Sequence, residues 1–157
     1  MTPAPIEASH KAAILRNNEA YVHWLWPMNM DELEHLIRVS DYARQLLEGE
    51  ACLFAYNGQG AYRHKNVDWL SQRLGSYLYI DRIIIGTIAQ RQGLGQVFYD
   101  DVAKFARDQG FKAVACEVNT NPDNPGSHRF HLSQSFVPHG DETYDDALSV
   151  RYYVRHL

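Results

Sequence analysis

Along the chain, apolar positions recur with a period of two in some segments and of three to four in others, and those periods predict its elements. Residues 1–9 read as a flexible lead, followed by a short edge strand at AAILRNN. Asn29 then caps a helix, with Asp31 and Glu32 in its first turn, where the dipole favours acids. Met30, Leu33, Leu36, Ile37, Ala43 and Leu47 fall on one helical face, and Gly49 ends that helix. Residues 51–56 predict a strand closed by the turn NGQG, 66–74 a short helix or structured loop, and 76–85 a strand rich in Tyr and Ile.

From Leu94 the period is helical again. Leu94, Val97, Phe98, Val102, Phe105 and Ala106 share a face, and Gly110 stops the helix where a left-handed residue is usual. Residues 112–118 form the next strand. Asn124 caps a further helix with Pro125 at its first position, running to about residue 134. FVPHG, an acidic loop GDETYDD and a last strand ALSVRYYVRHL complete the chain. This order predicts an α/β sandwich in which the strands around Ile85 and Cys116 run parallel across a crossover helix.

Composition excludes several classes. With 157 residues, 45% hydrophobic and 22% charged, the chain is expected to be one soluble domain. A net charge of −4 and the lack of a Lys/Arg stripe argue against nucleic acid as a partner. The longest apolar run, around residues 83–85, is too short to cross a membrane, and the first residues resemble no secretory signal. Cys52 and Cys116 lie in apolar strand segments and read as buried thiols in a reducing cytoplasm.

The stretch AQRQGLGQVFYDD carries the chemistry. Two glycines, Gly93 and Gly95, precede a helix whose first amides, Arg91 to Gln96, would form an anion site. GLGQVF approaches the dinucleotide pattern G-x-G-x-x-G, with Glu117 ending the next strand about where a ribose-binding acid would stand. Phe98 is too large for the third glycine, and GTIAQRQ separates the strand from the turn, so a dinucleotide fits poorly. No Gly-Lys-Ser/Thr follows, which excludes a Walker A loop.

IIIGTIAQRQGLG instead resembles motif A of the GNAT superfamily of acetyl-CoA-dependent N-acyltransferases, with Gln90, Gly93 and Gly95 at its defining positions. NPGSHRFHLSQSF resembles the second signature of that superfamily, N-x-x-A-x-x-F-Y-x-x-x-G-F. Asn124, Phe130 and Phe136 match it, while Ser127 stands for Ala, His131 for Tyr and Ser135 for Gly. The likeness covers about residues 76–136, and YIDRIII, CEVN, NPGS, FH and AYRHKNVDW are closest to a group of small bacterial acetyltransferases. It implies a single domain, 1–157, of the α/β (α+β) class. That fold is a three-layer sandwich with a central mixed, mostly antiparallel sheet, helices on both faces and one parallel, splayed strand pair.

The resemblance also implies acetyl-CoA as co-substrate. The backbone of Ile83, Ile84 and Ile85 would pair with pantetheine, and Gln90, Arg91, Gln92, Gly93, Leu94, Gly95 and Gln96 would hold the pyrophosphate. Asn124, Ser127 and His131 would complete the cofactor side, Asn124 and Ser127 also serving as helix caps. The acceptor is a primary amine of a small molecule or peptide, and a homodimer is compatible with the family.

An amine of pKa about 10.4 is neutral in on the order of one molecule per thousand at pH 7, so a base must take its proton. Glu117 and Asp81, carboxylates in otherwise apolar strands, are the two candidates. Adjacent strand residues point to opposite faces, so Asp81 and Arg82 are not expected to pair. His131 replaces the tyrosine that serves the superfamily as acid for the departing thiolate. Tyr62, Asn66 and Trp69 are candidates for the acceptor pocket, with packing as the other reading of Trp69. His128, His131 and His139 lack the carboxylate that would complete a zinc pattern, so no metal is expected. A non-catalytic module that senses acyl-CoA is the alternative of a different class.

Overall fold

Seven strands and five α-helices follow one another in the computed structural model, which describes residues 1–157. In chain order they are β1 (Ala4–Pro5), α1 (Lys11–Glu19), α2 (Met30–Val39), β2 (Tyr42–Leu46), β3 (Ala51–Asn57), α3 (Lys65–Ser71), β4 (Tyr77–Ile85), α4 (Leu94–Asp108), β5 (Ala113–Asn121), α5 (Pro125–Ser133), β6 (Val137–Asp145) and β7 (Leu148–His156). The strands form one mixed sheet in the order β1-β2-β3-β4-β5-β7-β6. β4 and β5 are parallel, with Tyr77 opposite Ala113 and Tyr79 opposite Ala115. β5–β7 and β6–β7 are antiparallel, as are β1–β2 and β2–β3.

The expected start of the chain is overturned. AAILRNN lies inside α1, and the edge strand is Ala4–Pro5, paired with Gln45 and Arg44 of β2. Residues 1–9 are thus tied down rather than a flexible lead. The long helix ending at Gly49 is overturned as well: α2 stops at Val39, and residues 42–46 are a strand. Its beginning is as expected, since the Asn29 side chain accepts from Glu32 N–H in a capping box. What ends it is the ladder to β3, where Tyr42 faces Ala55 and Leu46 faces Ala51. Gly49, with φ +88°, belongs to the turn between these strands, and Leu47 and Glu48 also have positive φ. The acidic segment GDETYDD, expected as a loop, lies mostly in β6 together with residues 137–139 of FVPHG, and Asp141 there forms an ion pair with Arg151 of β7.

Contacts group the chain into two compact units. The first comprises Met1–Tyr56 and Ile80–Phe105; Ile14, Leu33, Leu53, Phe54, Ile84, Phe98 and Val102 are buried in it. The second comprises Asn57–Tyr79 and Ala106–Leu157, with Val67, Leu70, Tyr77, Val114, Cys116, Tyr152 and Val154 buried. Gly58 is required in the second unit, because a Cβ there would lie 2.0 Å from Cζ of Tyr77. Cys52 and Cys116 are buried without a disulfide; burial pushes the Cys52 thiol up to about 12, which makes it a poor nucleophile. No helix is long and apolar enough to cross a membrane.

α5 ends as α4 does. Phe111 N–H donates to Ala106 O after Gly110 at φ +84°, and Phe136 N–H donates to His131 O after Ser135 at φ +67°. Ser135 therefore sits in a left-handed position that favours glycine. Ser135→Gly is expected to raise stability by roughly 0.5–1 kcal/mol, the relief of strain exceeding the entropy that glycine adds to the unfolded chain. A rise of a few degrees in the thermal midpoint checks this; an unchanged or lower midpoint contradicts it.

Candidate active site

In the first unit, β4 runs into a short 3-10 turn, Thr87–Ala89, and then into the glycine loop that opens α4. The strand end is anchored to α1. Gly86 N–H donates to Glu50 O at 2.7 Å, and a Cβ on Gly86 would come within 2.7 Å of the Asn17 carboxamide. Asn17 and Arg16 of α1 both hold the Glu50 carboxylate. Tyr21, which the sequence reading missed, donates its hydroxyl to Ile85 O at 2.5 Å and accepts from Gln90 Nε2 at 3.0 Å. The Gln90 side chain thereby fastens the loop to the segment after α1.

The loop then turns through two left-handed residues, Arg91 at φ +62° and Gly93 at φ +72°. A Cβ on Gly93 would meet nothing within 4 Å, so the space beside it is open. Val97 N–H is bonded to Gly93 O at 3.2 Å, closing the first helical turn. A helix that starts this way leaves the amides of Leu94, Gly95 and Gln96 without partners inside it. Leu94 is buried, whereas Arg91, Gln92 and Gln96 are exposed. Exposed amides at the positive end of a helix, with a guanidinium beside them, suit a phosphate.

Also in this unit, Asp81 accepts from Tyr56 Oη at 2.8 Å and from Arg82 Nε at 2.8 Å. The expectation that Asp81 and Arg82 do not pair is overturned. The arginine side chain is long enough to curl back past its own backbone, and its Nη1 is held by Asn18 Oδ1 at 2.9 Å.

The second unit organises the other carboxylate. Tyr79 Oη lies 2.7 and 2.6 Å from the two oxygens of Glu117, and Asn66 Nδ2 donates to Oε1 at 3.1 Å. Tyr152 in turn donates to Asn66 Oδ1 at 2.8 Å and shares a short hydroxyl–hydroxyl bond with Tyr144. β4 supplies Tyr79, β5 Glu117, α3 Asn66 and β7 Tyr152, so the cluster needs four elements. Burial raises the pKa of Tyr152, with Tyr144 and the charge of Glu117 adding to it, so the phenol stays protonated and can donate. Tyr62 and His64 extend the cluster: the Tyr62 and His64 ring centroids are 5.8 Å apart, those of His64 and Tyr79 5.2 Å. Trp69 is stacked on Tyr152 at 4.0 Å and carries the Arg73 guanidinium 3.7 Å from its centroid. Of the three residues expected in the acceptor pocket, Asn66 therefore touches a candidate base, Tyr62 lies two rings away, and Trp69 packs.

α5 presents its signature residues inward and to its own cap. Asn124 Oδ1 accepts from Ser127 N–H at 3.4 Å, which is the capping half of its expected role. His131 is 4% exposed, donates Nδ1–H to Ser127 O at 2.8 Å and stacks on Tyr153. Burial pushes its pKa down to about 4, so the ring is neutral at pH 7. His128 bridges Tyr153 Oη and Asn119 O, and the His139 ring meets the edge of Trp69. The Tyr79–Glu117 pair was within reach of sequence: both stand at alternate positions of strands predicted to run parallel. Tyr144 and Tyr152 carried no such signal.

No curated protein sequence matches the chain significantly. Solved structures share its fold at low identity. Ard1 from Thermoplasma volcanium superposes with a TM-score of 0.75 at 15% identity, over 99% of this chain and 97% of that one. The ribosomal-protein-alanine N-acetyltransferase from Brucella melitensis gives 0.68 at 17% over all of both chains. An agmatine N-acetyltransferase mutant gives 0.69 at 14% over 99% of each. The family model described as the acetyltransferase (GNAT) family matches residues 18–136, a span holding the glycine loop, both candidate carboxylates and α5. The chain therefore belongs to the acetyltransferase (GNAT) family and is an acyltransferase.

Proposed function

We propose that the protein moves an acetyl group from acetyl-CoA to a primary amine of a small molecule or peptide, by direct attack in a ternary complex, its two units serving as one acyltransferase domain. In this reading the amides of Arg91 to Gln96 hold the pyrophosphate, and the strand end at Ile83–Ile85 offers its backbone to pantetheine. Glu117 takes one proton from the acceptor ammonium, the freed nitrogen attacks the thioester carbonyl, the C–S bond breaks, and the second N–H proton leaves with the departing thiolate as CoA thiol.

The observation that carries the reading is the held carboxylate of Glu117, oriented by Tyr79 and Asn66 between the buried Cys116 and Val118 of β5. Asp81 is engaged by Tyr56 and Arg82 and serves to hold the strand. His131 packs α5 and carries no proton to the thiolate. The named activities of the neighbouring folds, on a ribosomal-protein alanine and on agmatine, are amine acetylations and support the same class of acceptor. A carboxylate ordered by two donors favours catalysis over an acyl-CoA sensor.

A calorimetric titration with CoA tests the cofactor half. Saturable binding is expected, and Tyr21→Phe is expected to weaken it about three- to tenfold, since it removes the two hydrogen bonds that position the Ile85 carbonyl and the Gln90 side chain. No heat and no thermal shift with the wild type would overturn the reading; equal affinity in both proteins would remove Tyr21 from it.

A further inference from the structure

The second unit holds a cation where an acceptor would need one. The Lys65 ammonium rests 4.3 Å from the ring centroid of Tyr144, in cation–π contact. Tyr144 begins a file of hydrogen bonds through Tyr152 and Asn66 that ends on Glu117. Lys65 and Asn66 are the first two residues of α3, so one helical turn delivers both the ammonium and the carboxamide that grips the candidate base.

A second carboxylate acts on the same phenols. Glu142, half-buried on β6, and Glu117 both push the pKa of Tyr144 and Tyr152 up by their charge, in addition to the larger effect of burial. Arg73 opposes them at Tyr144 with a smaller effect, and an aromatic face whose field is set mainly by two carboxylates attracts alkylammonium ions and repels anions. Trp69 offers no equivalent face, since Tyr152 and Arg73 already cover it.

We propose that the Tyr144 ring is an alkylammonium subsite, filled by Lys65 in the ligand-free protein and taken over by an acceptor that carries a second positive charge beside its reacting amine. The inference rests on the assignment of Glu117 as the base. It narrows the acceptor class from amines in general to dicationic ones, such as alkyl diamines or a peptide lysine beside a further cation. Lys65 is then a tethered competitor: exposed, attached to the same helix as Asn66, and displaced rather than consumed.

The test is calorimetry on the CoA-saturated protein with 1,4-diaminobutane, butylamine and butanoate as probes. The wild type is expected to bind the diamine more tightly than butylamine and to give no heat with butanoate. Lys65→Ala should bind the diamine about two- to fivefold more tightly, because the internal competitor is gone. Tyr144→Phe, which keeps the ring, should retain binding, while Tyr144→Leu should weaken it about fivefold; thermal melts establish that both remain folded. Equal or weaker diamine binding by Lys65→Ala overturns the subsite, as does absence of heat with the diamine in all four proteins. If CoA binds and Glu117→Gln loses turnover while the diamine gives no heat, only the subsite falls. A protein that binds the diamine without binding CoA would instead sink the acetyl-transfer reading.

Discussion

Glu117→Gln is expected to lower kcat for amine acetylation about 10²–10³-fold while leaving the Kd for CoA within about twofold. Gln keeps the size of the side chain but cannot accept a proton from an ammonium. With its carboxamide oxygen at the Oε1 position it still accepts from both Tyr79 and Asn66, so the hydrogen bonds around it are kept while the basic oxygen is lost. The exchange is expected to change stability by no more than about 1 kcal/mol, too little to unfold a domain of this size. Single-turnover kinetics with a panel of primary amines separates the two effects. Full chemical rate in the variant would dismiss Glu117 as base, whatever its stability.

The second large effect concerns pH. The pKa of His131 is pushed from 6.5 down to about 4 by burial, so the folded state excludes a proton that the unfolded chain accepts. The sign follows: the contribution is complete above about pH 6.5, and is lost as pH falls through about 4. The loss is on the order of 3 kcal/mol when the whole interval is crossed. Denaturant midpoints at pH 7, 5.5 and 4 should fall steadily for the wild type and less steeply for His131→Phe. Parallel slopes in the two proteins would show that another group carries the acid sensitivity. The same burial places any limb that His131 adds to the rate profile near pH 4 rather than near 6.5.

How much of this was legible beforehand depended on the range of the forces involved. The glycine loop was read correctly as a turn into a helix, because positive φ at Gly93 and an open helix start are local demands that residue type alone reveals. The cap at Asn124 and the stop at Gly110 were legible for the same reason. The segment 40–46 was not. Its apolar residues satisfy a helical period as well as an alternating one, and the ladder to β3 that chose between them is invisible until both strands exist. Asp81 and Arg82 were read as pointing apart because strand alternation describes Cβ directions and says nothing of where a long arginine ends. The burial of His131 comes from residues distant in sequence, Tyr153 among them, and no local pattern announces it.

By itself, then, the chain's order of residues determined the family, the helix caps and the glycine turn that opens α4, all of which are written in neighbouring positions. Which partners each of the two carboxylates takes, and that a lysine rests on the face of Tyr144, only the tertiary structure decided. The reason is physical: the grip on Glu117 comes from Asn66 and Tyr79, 51 and 38 residues away, while Asp81 is taken up by its own neighbour and by Tyr56. Hydrogen bonds of that span are formed by the packing of whole elements, and no local period encodes them.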